Sequence, residues 1–185
     1  MRIVAGKHRG RTLDAPKGRD TRPTSDRARE AMFNVLEHGI DGPGLRGARI
    51  IDVFAGTGAL GLEALSRGAS HATFVEAHRA AQTVLRANIA KLCEDDATAL
   101  LPIKAAALPT ADTPVDYAFL DAPYNKDLSV PALQVLADQN WLRPRSIIMV
   151  EVGADESITL PKDFKVEKDK SYGAARVLFI VYAPD

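Results

Sequence analysis

Three acids and a glycine-rich turn carry the chemistry that this sequence offers. Gly56, Gly58 and Gly61 in IIDVFAGTGALGLEALSRGA, residues 50–69, spell Gly-x-Gly-x-x-Gly, a pattern that marks a nucleotide loop only when its surroundings agree. In a dinucleotide site the pyrophosphate sits at the helix N-terminus, where backbone N–H groups and the helix dipole favour an anion. Asp52 stands a few residues before the first glycine, and a carboxylate there repels pyrophosphate. The same carboxylate suits a ligand with an ammonium group, such as the methionine part of S-adenosylmethionine. Gly56 and Gly58 then admit the ligand close to the backbone, and Gly61 lets the helix approach the sheet. Glu76 follows after about 20 residues, where nucleotide-binding α/β folds present an acid to ribose hydroxyls. NAD and S-adenosylmethionine share that ribose, so Glu76 alone does not separate them.

The second constellation is FLDAPY, Phe119 to Tyr124. An acid, a turn-forming Pro123 and an aromatic at a strand end can hold a planar base against Tyr124. Asp121 and the backbone carbonyl of Ala122 would accept hydrogen bonds from its exocyclic amine. Such an amine is a poor nucleophile because its lone pair is delocalised into the ring. Two acceptors draw it toward tetrahedral geometry, and Asp121 can take the proton as nitrogen attacks a methyl group in line with a departing sulfur. Asp-x-Pro-Tyr on its own also describes an ordinary turn with a buried tyrosine.

These residues need a scaffold, and the sequence supplies alternating strand and helix patterns. RIIDVFA is an apolar run suited to a buried central strand, GALGLEALSRGA a helix closed by Gly68, and HATFVEA a second strand. RAAQTVLRANIAKL reads as an amphipathic helix, LLPIKAA (100–106) as a third strand and VDYAFLDAPY as a fourth. VPALQVLADQNWL (130–142) follows as a helix, RSIIMVEV (145–152) as a fifth strand, and FKVEKD and ARVLFIVYA as a closing antiparallel pair. The pattern predicts an α/β domain with a mostly parallel sheet and ligands at the carboxyl ends of its strands. The positions just after the strands are therefore Asp52 to Gly58, Glu76, Ala105 to Ala107, Asp121 to Tyr124, and Glu151.

Ahead of this domain, MRIVAGKHRGRTLDAP reads as a basic hairpin and Pro16 and Pro23 bracket an arm. TSDRAREAMFNVLEHG reads as an amphipathic helix, with Thr24 or Ser25 as cap and Asp26, Arg27, Arg29 and Glu30 on its wetter side. GPGLRG, from Gly42, marks the boundary, giving an extension over 1–41 and a main domain over 42–185. The formal net charge of zero hides an asymmetry: up to Arg29 there are nine Lys and Arg against three Asp. A basic lobe of this kind suits a polyanion, though a solvated hairpin has the same composition. A hydrophobic fraction of 46% with 26% charged residues excludes disorder, and no apolar stretch is long enough for a membrane span or a signal peptide. The cytoplasm is the expected compartment. Cys93 is the only cysteine, has no metal-like spacing to other ligands, and reads as a small apolar residue late in a helix; no metal is expected.

Asp52-Val-Phe-Ala-Gly-Thr-Gly58 with Glu76 and Asp121-Ala-Pro-Tyr124 resembles the class I, seven-stranded S-adenosylmethionine methyltransferases that modify exocyclic amines. RIVAGKHRGRTL, RPTSDRAREAMFNVL, GALGLEALSRGA and YGAARVL resemble, more specifically, the RsmD family, which methylates N2 of a guanine in bacterial small-subunit (16S) ribosomal RNA. The resemblance implies a Rossmann-like, mostly parallel sheet with an antiparallel C-terminal strand. It implies S-adenosylmethionine held by Arg22, Thr24, Asp52, Ala55, Gly56, Thr57, Gly58, Glu76, Ala106 and Asp121. Asp121, Pro123 and Tyr124 would face the base, and Arg2, Lys7, Arg9, Arg11 and Arg22 the RNA of a 30S particle, with a monomer expected. Ala122 departs from the family's usual proline and loosens the turn while keeping the carbonyl. KAAALP offers only backbone where many relatives of this class place an acid near adenine. The competing readings are an amine methyltransferase acting on DNA adenine or protein glutamine, and a non-catalytic RNA-binding protein of degenerate methyltransferase fold.

Overall fold

The computed structural model describes residues 1–15, 25–123, 126–173 and 175–184. In chain order the elements are α1 (Asp26–His38), β1 (Arg49–Val53), α2 (Ala59–Ser66), β2 (His71–Val75), α3 (Arg79–Leu92), β3 (Thr98–Leu101) and β4 (Val115–Asp121). They continue with α4 (Ser129–Asp138), β5 (Leu142–Gly153), β6 (Phe164–Tyr172) and β7 (Ala175–Tyr182). The seven strands form one sheet in the order β3-β2-β1-β4-β5-β7-β6. Strands β1 to β5 run parallel, and β7 lies antiparallel between β5 and β6. Strand order reverses beside β1, so β1 and β4 flank the crevice where such sheets receive ligands.

Period-two alternation sorts the apolar strand residues into two layers. Ile50, Phe74, Tyr117, Phe119, Met149 and Phe179 face α1, α2 and α3, whereas Ile51, Val53, Leu120, Ile148 and Val150 face α4. The Phe33 ring of α1 meets Phe119 of β4 edge-on, with centroids 5.7 Å apart. Ile3 and Leu13 of the hairpin and Met32, Phe33 and Leu36 of α1 belong to the same buried cluster as the sheet, so the N-terminal segment shares the domain's core.

Several elements differ from expectation for identifiable reasons. The third strand occupies 98–101, because Pro102 lacks the N–H that a continuing ladder needs, and Ala105–Ala107 form a 3₁₀ turn instead. Helix α4 stops at Asp138, and Asn140, at φ 57°, turns the chain into β5. Cys93 lies beyond α3 as its left-handed cap, φ 57°, and is exposed rather than packed. Arg29, expected on the wet face of α1, is 1% exposed.

Burial of Arg29 follows from Glu63, a fully buried acid and the one charged residue of α2. The Glu63 carboxylate accepts the backbone N–H groups of Val4 (2.8 Å) and Ala5 (3.0 Å) and pairs with Arg67 Nε at 2.8 Å. Arg29 Nε lies 3.7 Å from it, and the Arg29 guanidinium also donates to Asp26 and to the carbonyl of Arg2. Arg67 in turn lies over the Phe33 ring, 4.9 Å from its centroid. The hairpin is thus seated by a carboxylate in the adjoining helix. Gly6 makes the seat possible, since a Cβ there would fall 1.8 Å from the Ser66 carbonyl oxygen. Glu63→Ala, which strips a buried charge network of one partner, is expected to cost about 3–5 kcal/mol in denaturant unfolding. Hydrogen exchange should show the Val4 and Ala5 amides losing protection; unchanged protection contradicts the anchoring role.

Candidate cofactor and base site

Strand alternation places Asp52, Glu76, Asp121 and Glu151 at the carboxyl ends of β1, β2, β4 and β5, on the face covered by α1 to α3. Asp121 and Glu151 are register partners on adjacent strands. Four carboxylates therefore rim the crevice opened by the switch in strand order.

The loop after β1 is shaped from beneath. Phe54, Gly56 and Gly58 all take positive φ (65°, 56° and 81°), and this tight path brings Ala55 N–H to the Val75 carbonyl at 3.1 Å. Asp52 Oδ2 accepts the N–H of Gly61 at 2.9 Å, doing from the neighbouring strand what a capping side chain would do for α2, whose own N-cap is Gly58. Asp52 is 1% exposed. Burial, helped by the charges of Asp121 and Glu76 and opposed by the Gly61 hydrogen bond, pushes its carboxyl well above the usual range. Asp52 thus braces the loop from beneath.

The glycines divide their work. A Cβ on Gly56 would meet only the Phe54 carbonyl, at 3.9 Å, so this glycine faces open space that a ligand can enter. A Cβ on Gly58 would lie 2.3 Å from Leu85 Cδ1, and one on Gly61 2.3 Å from Phe74 Cε1. Gly58, expected at the ligand, also permits close packing of the loop. Glu76 is buried and accepts Gly56 N–H at 2.9 Å and His78 N–H at 2.7 Å, which aims the carboxylate at the loop and leaves further lone pairs for hydroxyls. Ala105 to Ala107 close the same rim after β3, with Ala106 exposed. The residues thus fit S-adenosylmethionine: Gly56 leaves open space beside the loop backbone, and Glu76 stands at the same rim with lone pairs free for hydroxyls.

Asp121 stands exposed at the rim, followed by buried Ala122 and exposed Pro123. Crowding by protein atoms and, second, the charge of Glu151 push its carboxyl up to about 7. Solvent reaches the group and screens part of that effect. Tyr124, Arg22 and Thr24 lie outside the described residues. Of the hairpin cations, Arg2 pairs with Asp26 (2.9 Å), Lys7 with buried Glu94 (2.6 Å), and Arg11 donates to the Lys91 carbonyl, whereas Arg9 is exposed. No group of three or more metal-binding side chains is present among the described residues. No helix among them is long and apolar enough to cross a membrane. Sequence reasoning noted Glu151 only as a strand-end residue and gave it no role; its register opposite Asp121 is what matters.

Substitution and titration test this geometry. Gly56→Ala should weaken S-adenosylmethionine binding by calorimetry while costing about 1 kcal/mol of stability, the left-handed penalty. Gly58→Ala, which must also displace Leu85, should cost more stability than Gly56→Ala. For Asp121, the raised value favours the folded chain in acid, a contribution lost as pH rises from about 4 to about 7. Carboxyl NMR should find its midpoint near 7 and Glu151→Gln should lower it.

Comparison with known proteins agrees with the fold. A family model described as Conserved hypothetical protein 95 matches residues 1–181. The Ribosomal RNA small subunit methyltransferase D of Escherichia coli (strain K12) is 36% identical over 174 residues, covering 94% of this chain and 85% of that protein. The protein of the same name from Haemophilus influenzae is 33% identical over 177 residues, covering 94% and 89%. The solved structure of yhhF from Escherichia coli superimposes with a TM-score of 0.86 at 33% identity, over 100% of this chain and 99% of that one. Matched by that model along nearly its whole length, with the glycine cradle and acidic rim in place, the chain belongs to the Conserved hypothetical protein 95 family, the RsmD family.

Proposed function

We propose that this protein transfers a methyl group from S-adenosylmethionine to the exocyclic N2 of a guanine in 16S ribosomal RNA, within an assembled or assembling 30S particle. The chemistry is that of an S-adenosylmethionine-dependent rRNA methyltransferase, in keeping with the names of its relatives. The observation that carries the finer reading is the placement of Asp121, Ala122 and Pro123 at the end of β4, one residue beyond the Val53–Leu120 pairing and so beside the Gly56 loop at the end of β1.

S-adenosylmethionine supplies a methyl group activated by its sulfonium. The chain's own residues orient the acceptor. Asp121 accepts one N–H of the amine and the Ala122 carbonyl accepts the other, so the nitrogen lone pair is directed at the methyl carbon. As the N–C bond forms and the C–S bond breaks, the Asp121 carboxylate takes the departing proton. Its elevated affinity for a proton, set by crowding and by Glu151, suits that task near neutral pH. Tyr124 stacks on the base, and Arg2, Lys7, Arg9, Arg11 and Arg22 meet RNA phosphates, on residues 1–41 as a lobe joined to the methyltransferase body. Extruding a paired base costs a few kcal/mol and aromatic stacking returns about 1–3 kcal/mol, which favours a base already exposed in a particle. The protein works as a monomer in the cytoplasm.

Labelled methyl transfer to 30S particles, DNA and protein extract, followed by base analysis, tests the reading. N2-methylguanine in 16S RNA is expected; label in N6-methyladenine or in protein overturns it, and no binding of S-adenosylmethionine would favour a non-catalytic role. Asp121→Ala should lower kcat by about 10²–10⁴-fold, the usual worth of a positioned acid or base, while cofactor binding persists.

A further inference from the structure

Asn88 on α3 is fully buried, yet its amide serves neither the helix nor the core around it. Its Oδ1 accepts the N–H of Asp14 at 2.8 Å. Its Nδ2 donates to the Asp14 carbonyl at 3.1 Å and to the Thr57 carbonyl at 3.0 Å. The partners settle the orientation, since the Asp14 N–H can only donate and the two carbonyls can only accept. One side chain therefore completes a ladder-like pairing with the hairpin's outgoing strand and holds the loop residue between Gly56 and Gly58. Aspartate would set an acceptor against two carbonyls, and leucine would leave three backbone groups without these partners.

The surroundings reinforce the link. One turn on, Lys91 holds the Asp14 carboxylate at 3.1 Å and its carbonyl accepts from Arg11 at 2.8 Å. The Thr57 hydroxyl reaches back to the thioether of Met1 at 3.9 Å. The cofactor loop and the basic hairpin thus meet at one buried amide, with both neighbours of Asn88's contacts belonging to functional surfaces.

We propose that Asn88 is a positioning residue that couples the cofactor loop to the basic hairpin, so that cofactor and RNA bind with positive cooperativity; this rests on the reading that the hairpin grips the RNA. When a ligand fixes the Gly56–Gly58 backbone, the Thr57 carbonyl is held, the amide that it shares with Asp14 is held with it, and the hairpin has less freedom left to lose on meeting RNA. Coupling of this kind is reciprocal: RNA tightens the cofactor by the factor with which the cofactor tightens RNA.

The test compares the affinity of 30S particles for the labelled full-length protein with and without saturating S-adenosylhomocysteine. Wild type should bind at least about 5-fold more tightly with it, the lower range of allosteric coupling, and Asn88→Ala less than about 2-fold. Equal factors in the two proteins, or no tightening in wild type, overturn the proposal; a purely structural Asn88 would change both affinities and leave their ratio alone. Hydrogen exchange on wild type gives an independent readout should Asn88→Ala not fold. Saturating S-adenosylhomocysteine should raise protection of the Asp14 N–H, and unchanged protection overturns the link. If wild type neither binds nor methylates 30S particles, the RNA reading fails, while the Asp14 exchange still decides whether loop and hairpin are joined.

Discussion

The structure depends first on a single buried carboxylate. Glu63 is the one charged residue of its helix, and burying its charge is tolerable only because two arginines and two backbone N–H groups converge on it. Each of those partners comes from a different part of the chain. Arg67 follows it by one turn, Arg29 is the inward side of α1, and Val4 and Ala5 belong to the hairpin. Meeting the demand of Glu63 therefore fixes where the hairpin and α1 lie against the sheet. The next contacts follow from that placement: Ser66 Oγ accepts His8 N–H, Glu94 pairs with Lys7 and His8, and Asn88 receives Asp14. Buried ion networks add little net stability compared with apolar packing, and here the evident product is position.

The second organising fact is the collection of carboxyl groups at one rim. Asp52 is buried and bonded to the Gly61 N–H of α2, Glu76 is buried and bonded to the Gly56 N–H of the loop, and Asp121 is exposed. Such a rim resists a pyrophosphate and welcomes a cationic sulfonium with its ammonium. It also explains how a loop with the spacing of a dinucleotide fingerprint works differently. The N-terminal end of α2 is already occupied by a carboxylate from within, so the helix dipole is answered before a ligand arrives.

Much of this was legible in the sequence. Helix α3 was expected over 79–92 and is found there, because its apolar residues recur at helical spacing and the flanking positions do not. The parallel sheet, the closing antiparallel pair and the strand-end acids followed from alternation in the same way. The errors cluster where one residue answers to tertiary partners. Arg29 looked like part of a charged face because its partner, Glu63, is 34 positions away. The packing role of Gly58 was hidden because nothing local reveals Leu85 beside it. The third strand was placed too late because the apolar run continues through Pro102. Asn88 did leave a trace: it is a polar residue within the apolar stripe of Leu85, Ile89 and Leu92.

By itself, then, the sequence determined the order and type of the elements, the glycine loop and the identity of the acids that follow the strands. These are properties of short windows, in which backbone preference and side-chain period act directly. Only the tertiary structure decided what each polar group touches: Asp52 beneath the loop, Glu151 beside Asp121, Lys7 against Glu94, and Asn88 between hairpin and loop. The physical reason is that a charge or an amide takes its role from its partner and its exposure, and both are set by residues distant in the chain.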